Sequence, residues 1–117
     1  MSEIFCNSYG YNFKVRSVEL TCKWRRIPRD DEHPDETGYD ETTQNTLAEA
    51  VKYAQGFVAN RNYSDSANEY KVCHILYIVT LECPDGALEY IEIWWWWPKQ
   101  MSEDEIFSKC KDDIELI

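Results

Sequence analysis

The sequence has few of the features that identify an enzyme, a membrane protein or a secreted protein. It has four glycines and no Gly-rich phosphate loop, serine nucleophile elbow or His-Glu-x-x-His motif. It contains no apolar run of about eighteen residues, so we expect no membrane span. The first residues carry neither a basic nor an apolar segment, so we expect no secretory signal and a cytoplasmic protein.

Cysteine and histidine are sparse, and their spacing gives little support for catalysis. The five cysteines are scattered without a Cys-x-x-Cys pair, which favours free, mostly buried thiols in a reducing compartment. His74 and Cys73 are adjacent on a predicted strand, so they face opposite sides and cannot form a direct dyad. His33 lies between Asp31 and Asp35, but a solvated charge run explains this triplet better than a cation site. We therefore predict no enzyme activity, no cofactor and no metal.

Basic residues are outnumbered and unevenly distributed. The chain has 12 basic and 22 acidic side chains, a net charge of −10. Residues 1–29 hold six bases and two acids, whereas residues 30–117 hold six bases and 20 acids. Phosphates repel such a chain, so nucleic acid is not expected as a direct partner. A basic protein surface, including one that normally holds DNA or RNA, fits this charge.

The most acidic segment spans residues 28–43. It has two prolines, one glycine and no apolar period, which predicts a long, mobile, anionic loop. Its acidic side chains are the first group of candidate partner-binding residues: Asp30, Asp31, Glu32, Asp35, Glu36, Asp40 and Glu41.

Two helices are predicted from capping boxes. Thr46 and Glu49 open a helix that carries an apolar stripe and ends near Asn60. Ser102 and Glu105 open a short terminal helix whose first turn is rich in acids.

The strand predictions rest on alternation. Apolar and polar side chains alternate over residues 12–27. The apolar positions change from odd to even numbers near Arg16, which indicates a bulge or two short strands. Residues 70–83 are apolar on both faces, which predicts an interior strand covered on two sides. The turn Pro84-Asp85-Gly86 then returns residues 88–97 as an antiparallel hairpin partner.

These elements predict one α+β domain over residues 1–117. Its antiparallel sheet has three or four strands, with the C-terminal-half hairpin at the centre, and packs against two helices.

The most informative segment is the run of four tryptophans, Trp94 to Trp97. Side chains on a strand alternate faces, so one core can take only one pair. Trp95 and Trp97 share parity with Ile91 and Ile93, the more uniformly apolar face, and are predicted to lie in the core.

The other pair, Trp94 and Trp96, shares its face with Tyr90 and Glu92. One possibility is that a second helix layer buries this pair as well. The other is that the pair is exposed, and these four side chains are then the second group of candidate partner-binding residues. A homodimer that forms through this tryptophan face is a further possibility.

The acidic residues and the tryptophan pair together suggest a non-enzymatic binding protein that blocks a basic partner in a nucleic-acid-handling complex. In general character the chain resembles the small acidic single-domain inhibitors that phages make against host defences, among them anti-CRISPR proteins and DNA-mimicking anti-restriction proteins. That resemblance implies action in the host cytoplasm.

Two alternatives use the same residues. An immunity protein that neutralises a basic nuclease toxin has the same electrostatics. A protein that sequesters a small ligand such as a nucleotide would use the tryptophans and tyrosines as an aromatic pocket.

Overall fold

The chain forms an antiparallel sheet with two helices, as a computed structural model that describes residues 3–30, 32–99 and 102–115 shows. The predicted α+β fold is confirmed, with six strands in the described residues rather than three or four. In chain order the elements are β1 (Ile4–Cys6), β2 (Asn12–Pro28), β3 (Glu36–Gln44), α1 (Leu47–Arg61), β4 (Tyr63–Ser64), β5 (Asn68–Glu82), β6 (Leu88–Trp96) and α2 (Glu103–Ile114).

Two long strands form the centre of the sheet. β2 pairs with β5 along almost its whole length, β1 and β3 pair with the other edge of β2, and β4 and β6 pair with the other edge of β5. The register shifts between Val15 and Ser17, so the predicted bulge near Arg16 is present. The predicted hairpin is β5–β6, in which β5 is central and β6 lies at an edge.

Both helices pack on the same face of the sheet. Their buried side chains join one core with alternate residues of the strands. On β5 these include Ile75, Tyr77 and Val79, whereas Leu76 and Ile78 remain partly accessible. The prediction that this strand is covered on two sides is therefore wrong. Apolar alternation shows which residues share a face, but it does not show which face a helix will cover.

The helix starts follow their capping signals. The Thr46 hydroxyl accepts a hydrogen bond from the Glu49 amide at 3.1 Å, and the Ser102 hydroxyl accepts one from the Glu105 amide at 3.2 Å. A distant carboxylate, that of Glu3, also accepts from the first amides of α1. This contact ties the start of the chain to α1 and places negative charge at the positive end of the helix.

The predicted mobile loop at 28–43 is wrong for its second half, because residues 36–44 form β3. Opposite charge explains part of this pairing. The basic residues of β2 lie next to the acidic segment, and Arg25 pairs with Asp35 while Arg26 pairs with Glu36. β-branched and aromatic residues interspersed among the acids, Thr42 and Tyr39 among them, also favour a strand.

A tryptophan of β2 anchors β3 on the helix side. A Cβ added to Gly38 would lie 2.2 Å from Cζ2 of Trp24, so the indole fills the place of a side chain. The indole Nε1 donates to Asp40 Oδ1 at 3.3 Å, and Arg61 of α1 contacts the other oxygen of this carboxylate at 3.3 Å. β3 is thus held by an aromatic contact as well as by its ladder.

The turn after β1 contacts the end of the described chain. The backbone amide of Ser8 donates to Glu115 Oε1 at 2.8 Å, and the Ser8 hydroxyl donates to Oε2 at 2.5 Å. The turn after β1 is therefore joined to the last residue described after α2.

Candidate functional site

The side of the sheet opposite the helices carries the most unusual surface. In an antiparallel ladder, directly opposed residues share a face, so the register identifies its members. We call this surface the open face. Its central residues are Glu19, Thr21, Lys23, Tyr39, Glu41, Thr43, His74, Leu76, Ile78, Thr80, Tyr90, Glu92, Trp94 and Trp96.

The tryptophan pair forms the aromatic part of the open face. The rings of Trp94 and Trp96 stack with centroids 5.6 Å apart and an interplanar angle of 13°. The imidazole of His74, on the neighbouring strand, lies 5.2 Å from the first ring and 4.8 Å from the second. The indoles keep 39% and 57% of their surface accessible. Of the two possibilities that the sequence left open for this pair, burial under a second helix layer or exposure, the structure shows exposure.

The other two tryptophans differ from each other. Trp95 is 3% exposed and belongs to the core, as predicted. Trp97 is 42% exposed, so its predicted core position is wrong. β6 ends at Trp96, and the side-chain alternation of a strand need not continue beyond its end. The fourth ring instead borders a surface groove with Pro98 and Val58.

Register places one acidic side chain in the same row as a tryptophan of the pair. One row runs Glu41, Thr21, Leu76, Trp94, and the next runs Tyr39, Lys23, His74, Trp96. Neighbouring strands lie about 4.8 Å apart, so the outer members of a row are roughly 14 Å apart. Of the acidic candidates, Glu41 therefore shares a surface with the tryptophan pair.

Most of the other acidic candidates are engaged within the chain. Asp35, Glu36 and Asp40 pair with arginines of β2 and α1. Asp30 accepts hydrogen bonds from the backbone and ring of His33, and this contact lowers the pKa of its carboxyl. Glu32 is exposed in the same turn, and Asp31 lies outside the described residues.

Three carboxylates on the open face make no ion pair with any described residue. They are Glu19, Glu41 and Glu92, against one ammonium group, that of Lys23. The Lys23 Nζ lies 5.8 Å from the centre of the Tyr39 ring. The surface thus combines an exposed aromatic cluster with a net negative charge, and Tyr90, 64% exposed, extends it along β6.

The histidine of this cluster is biased towards its neutral form. Partial burial lowers the pKa of His74, and the neighbouring charge of Lys23 lowers it further. At neutral pH the ring therefore acts as an aromatic neighbour of the tryptophans rather than as a cation.

Two buried thiols and the grouping of possible metal ligands bear on nucleophilic and metal chemistry. Burial raises the pKa of Cys22 and of Cys110 to about 12, so neither thiol forms a reactive thiolate at neutral pH. Among residues 3–30, 32–99 and 102–115, no three or more His, Cys, Asp or Glu side chains are grouped so that they could hold a metal ion.

Several members of the open face were not among the predicted site residues, and Glu19, Tyr39 and His74 are the charged and aromatic-ring members that matter most beside Lys23. A signal for the histidine was present in the hairpin. The turn at 84–86 sets the register of β5 against β6, and this register places His74 opposite Trp96. Tyr39 depended on recognising β3 as a strand, whereas Glu19 lies on the predicted strand β2 and depended on knowing that β2 pairs with β5.

Comparisons with protein-family models, curated proteins and solved structures give no match to this chain. Within the described part of the chain, no helix has the length and apolar character needed to cross a membrane.

Proposed function

We propose that this protein is a non-enzymatic inhibitor that binds a basic protein partner through the open face, with Trp94 and Trp96 as apolar anchors. The observation that carries this proposal is the exposed, stacked tryptophan pair on the same uncovered sheet face as three unpaired carboxylates. The expected partner is a nucleic-acid-binding protein of a host complex, as in phage anti-defence inhibitors of the anti-CRISPR or anti-restriction type.

The tryptophan pair supports protein binding more than small-ligand binding. The two indoles already stack on each other, which leaves no slot for a third ring between them. Their outer edges and faces remain accessible instead. Exposed indoles next to apolar side chains such as Leu76 and Ile78 are typical of interface hot spots, where burial of the rings supplies most of the binding energy.

The charge supports a basic surface as the occupant. The open-face carboxylates Glu19, Glu41 and Glu92 are not neutralised by described neighbours, and the whole chain carries −10. Such a field increases the rate of association with a cationic surface and repels phosphate. Binding at a nucleic-acid groove would then block the partner's own ligand.

An affinity experiment with matched variants tests this proposal. The bait is the full chain, used at low and high salt in a lysate of the organism in which the protein acts. The variants are Trp94→Ala and Trp96→Ala, with Trp97→Ala as control because that ring is also exposed but lies outside the open face. A captured protein is then purified and assayed for nucleic-acid binding with and without the inhibitor.

The expected result is a basic protein that the wild type and Trp97→Ala retain and that both open-face variants lose. Its retention should fall with salt, and its nucleic-acid binding should fall as the inhibitor is added. Equal retention by all variants would contradict the open face as the site. A captured protein whose nucleic-acid binding is unchanged would contradict inhibition. If the captured protein is a nuclease toxin whose gene lies beside the gene of this chain, this chain is an immunity protein.

A further inference from the structure

We infer that the partner contributes an extended basic segment, which adds to the free edge of β6 as a further strand beside the tryptophan pair. This inference rests on the proposed function and specifies how the partner binds. It follows from the direction of the backbone groups of β6 and from the charge of the groove beside them.

The hydrogen-bond pattern of the hairpin shows which backbone groups of β6 are free. The Trp97 amide donates to the Cys73 carbonyl at 3.1 Å, and the Cys83 amide donates to the Ala87 carbonyl at 2.8 Å. Hydrogen-bonded pairs alternate along an antiparallel ladder, so the odd-numbered residues of β6 point their backbone groups towards β5.

The even-numbered residues point their amides and carbonyls outwards. For Tyr90, Glu92 and Trp94 these groups have no strand partner among the described residues. The carbonyl of Trp96 accepts from the Lys99 amide at 3.1 Å, which marks one end of the available edge. The residues with free backbone groups are therefore the same ones whose side chains lie on the open face.

α2 borders this edge and makes it acidic. A groove of about 300 Å³ runs between β6 and the helix, and it is lined by Glu92, Ile93, Trp94, Lys109, Asp112 and Asp113. Three of these six side chains are carboxylates and one is an ammonium group. A strand added here would place alternate side chains towards α2 and towards the open face. Basic side chains on the helix side would meet Asp112 and Asp113, and those on the open face would meet Glu92.

A basic segment fits this edge better than a second copy of the chain. β6, Leu88–Trp96, contains Glu89 and Glu92 and no basic residue. Pairing of two such strands would bring like charges together, which destabilises cross-strand neighbours. Strand addition to an exposed edge gives affinity through backbone hydrogen bonds and specificity through alternate side chains.

Amide hydrogen exchange of the full chain tests the inference directly. The probe is a peptide of about ten residues in which two arginines alternate with two valines, so that both faces of the added strand carry arginine. A peptide with glutamate in place of arginine is the control. We expect the basic peptide to slow exchange of the outward amides of Tyr90, Glu92 and Trp94. The glutamate peptide should leave their exchange unchanged.

Two variants at one position separate backbone from charge. Glu92→Gln keeps the amide and removes the carboxylate, and we expect about threefold weaker peptide binding. Glu92→Pro also removes the outward N–H, and we expect binding about tenfold weaker than for the glutamine variant. Unchanged exchange at Ile91 and Ile93 in the free variants would show that their β5–β6 ladder is intact.

Three results would overturn the inference. They are equal protection by the two peptides, equal affinity of the proline and glutamine variants, and protection of the outward amides in a dimer of the free protein. Peptide binding that quenches tryptophan fluorescence without protecting these amides would also overturn strand addition, while leaving the open face as a binding surface. Failure of the proposed function would instead appear as equal partner capture by the wild type and the Trp94→Ala and Trp96→Ala variants.

Discussion

Adjacent tryptophans on β6 have opposite environments because the two faces of the sheet differ. Trp95 lies under the helices with Ile91 and Ile93, and Trp94 and Trp96 lie on the open face. Both faces of the hairpin carry large apolar side chains, although the face of Ile91 and Ile93 is the more uniformly apolar one on β6. The difference is the presence of a covering layer, and it divides these residues into those that hold the fold and those available for binding.

The largest expected effect comes from the covered face. Trp95→Ala would leave a cavity in the core and should lower the free energy of unfolding by about 3–5 kcal/mol. Urea denaturation followed by circular dichroism measures this loss. Trp95→Phe keeps most of the apolar volume, so it should recover most of the stability. A loss below about 1 kcal/mol for the alanine variant would contradict the core position of this ring.

The contact that anchors β3 should give the next effect. Gly38→Ala places a methyl group where the Trp24 indole lies, and the ring can move only by losing its contacts with Asp40 and Arg61. We expect a loss of about 1–3 kcal/mol in the same denaturation experiment. Gly56→Ala is a matched control, because a Cβ at that helical position would meet nothing within 4 Å apart from its chain neighbours and the backbone of its own helix. The control should be neutral or stabilising.

The open face should contribute little to stability. Trp94→Ala and Trp96→Ala each remove an exposed ring, and we expect the free energy of unfolding to fall by no more than about 1 kcal/mol. The same variants should lose partner capture, so binding and stability separate at these positions. A loss as large as that of Trp95→Ala would mean that the open face is part of the core.

The smallest expected effect is a pH dependence at His74. The pKa of this imidazole is lowered in the folded chain by burial and by Lys23, so the unfolded chain binds its proton more readily. The associated stability is therefore present above about pH 6.5 and is lost as the pH falls towards the folded pKa. Denaturation between about pH 5 and 8 should show a steeper fall for the wild type than for His74→Gln. Parallel curves would contradict this contribution.

How far the fold could be predicted depended on the type of signal. Short-range signals were sufficient for the helix starts at Thr46 and Ser102, for the bulge near Arg16 and for the turn at 84–86. These features are fixed by hydrogen bonds and backbone preferences of neighbouring residues. The covering of β5 and the formation of β3 depend on distant partners, and these were the errors.

The candidate site was predicted in part for the same reason. Strand parity was sufficient to separate Trp94 and Trp96 from Trp95, but it was wrong for Trp97 because the strand ends one residue earlier. Acidic composition identified the segment at 30–41 but not its internal partners. Arg25, Arg26 and Arg61 lie close to it only once the sheet and α1 have formed.

The hydrogen bonds between Ser8 and Glu115 also suggest how the order of the strands along the chain can be changed. They bring the turn after β1 and the end of α2 within hydrogen-bonding distance. Because β1 itself is three residues long, a linker of about ten residues should reach from the end of α2 to the start of β1 and close the backbone into a ring. New ends could then be opened at the exposed turn of Pro84, Asp85 and Gly86. Such a circular permutant would keep every strand while separating β5 from β6 in sequence. It would show whether the edge strand needs its hairpin in order to fold.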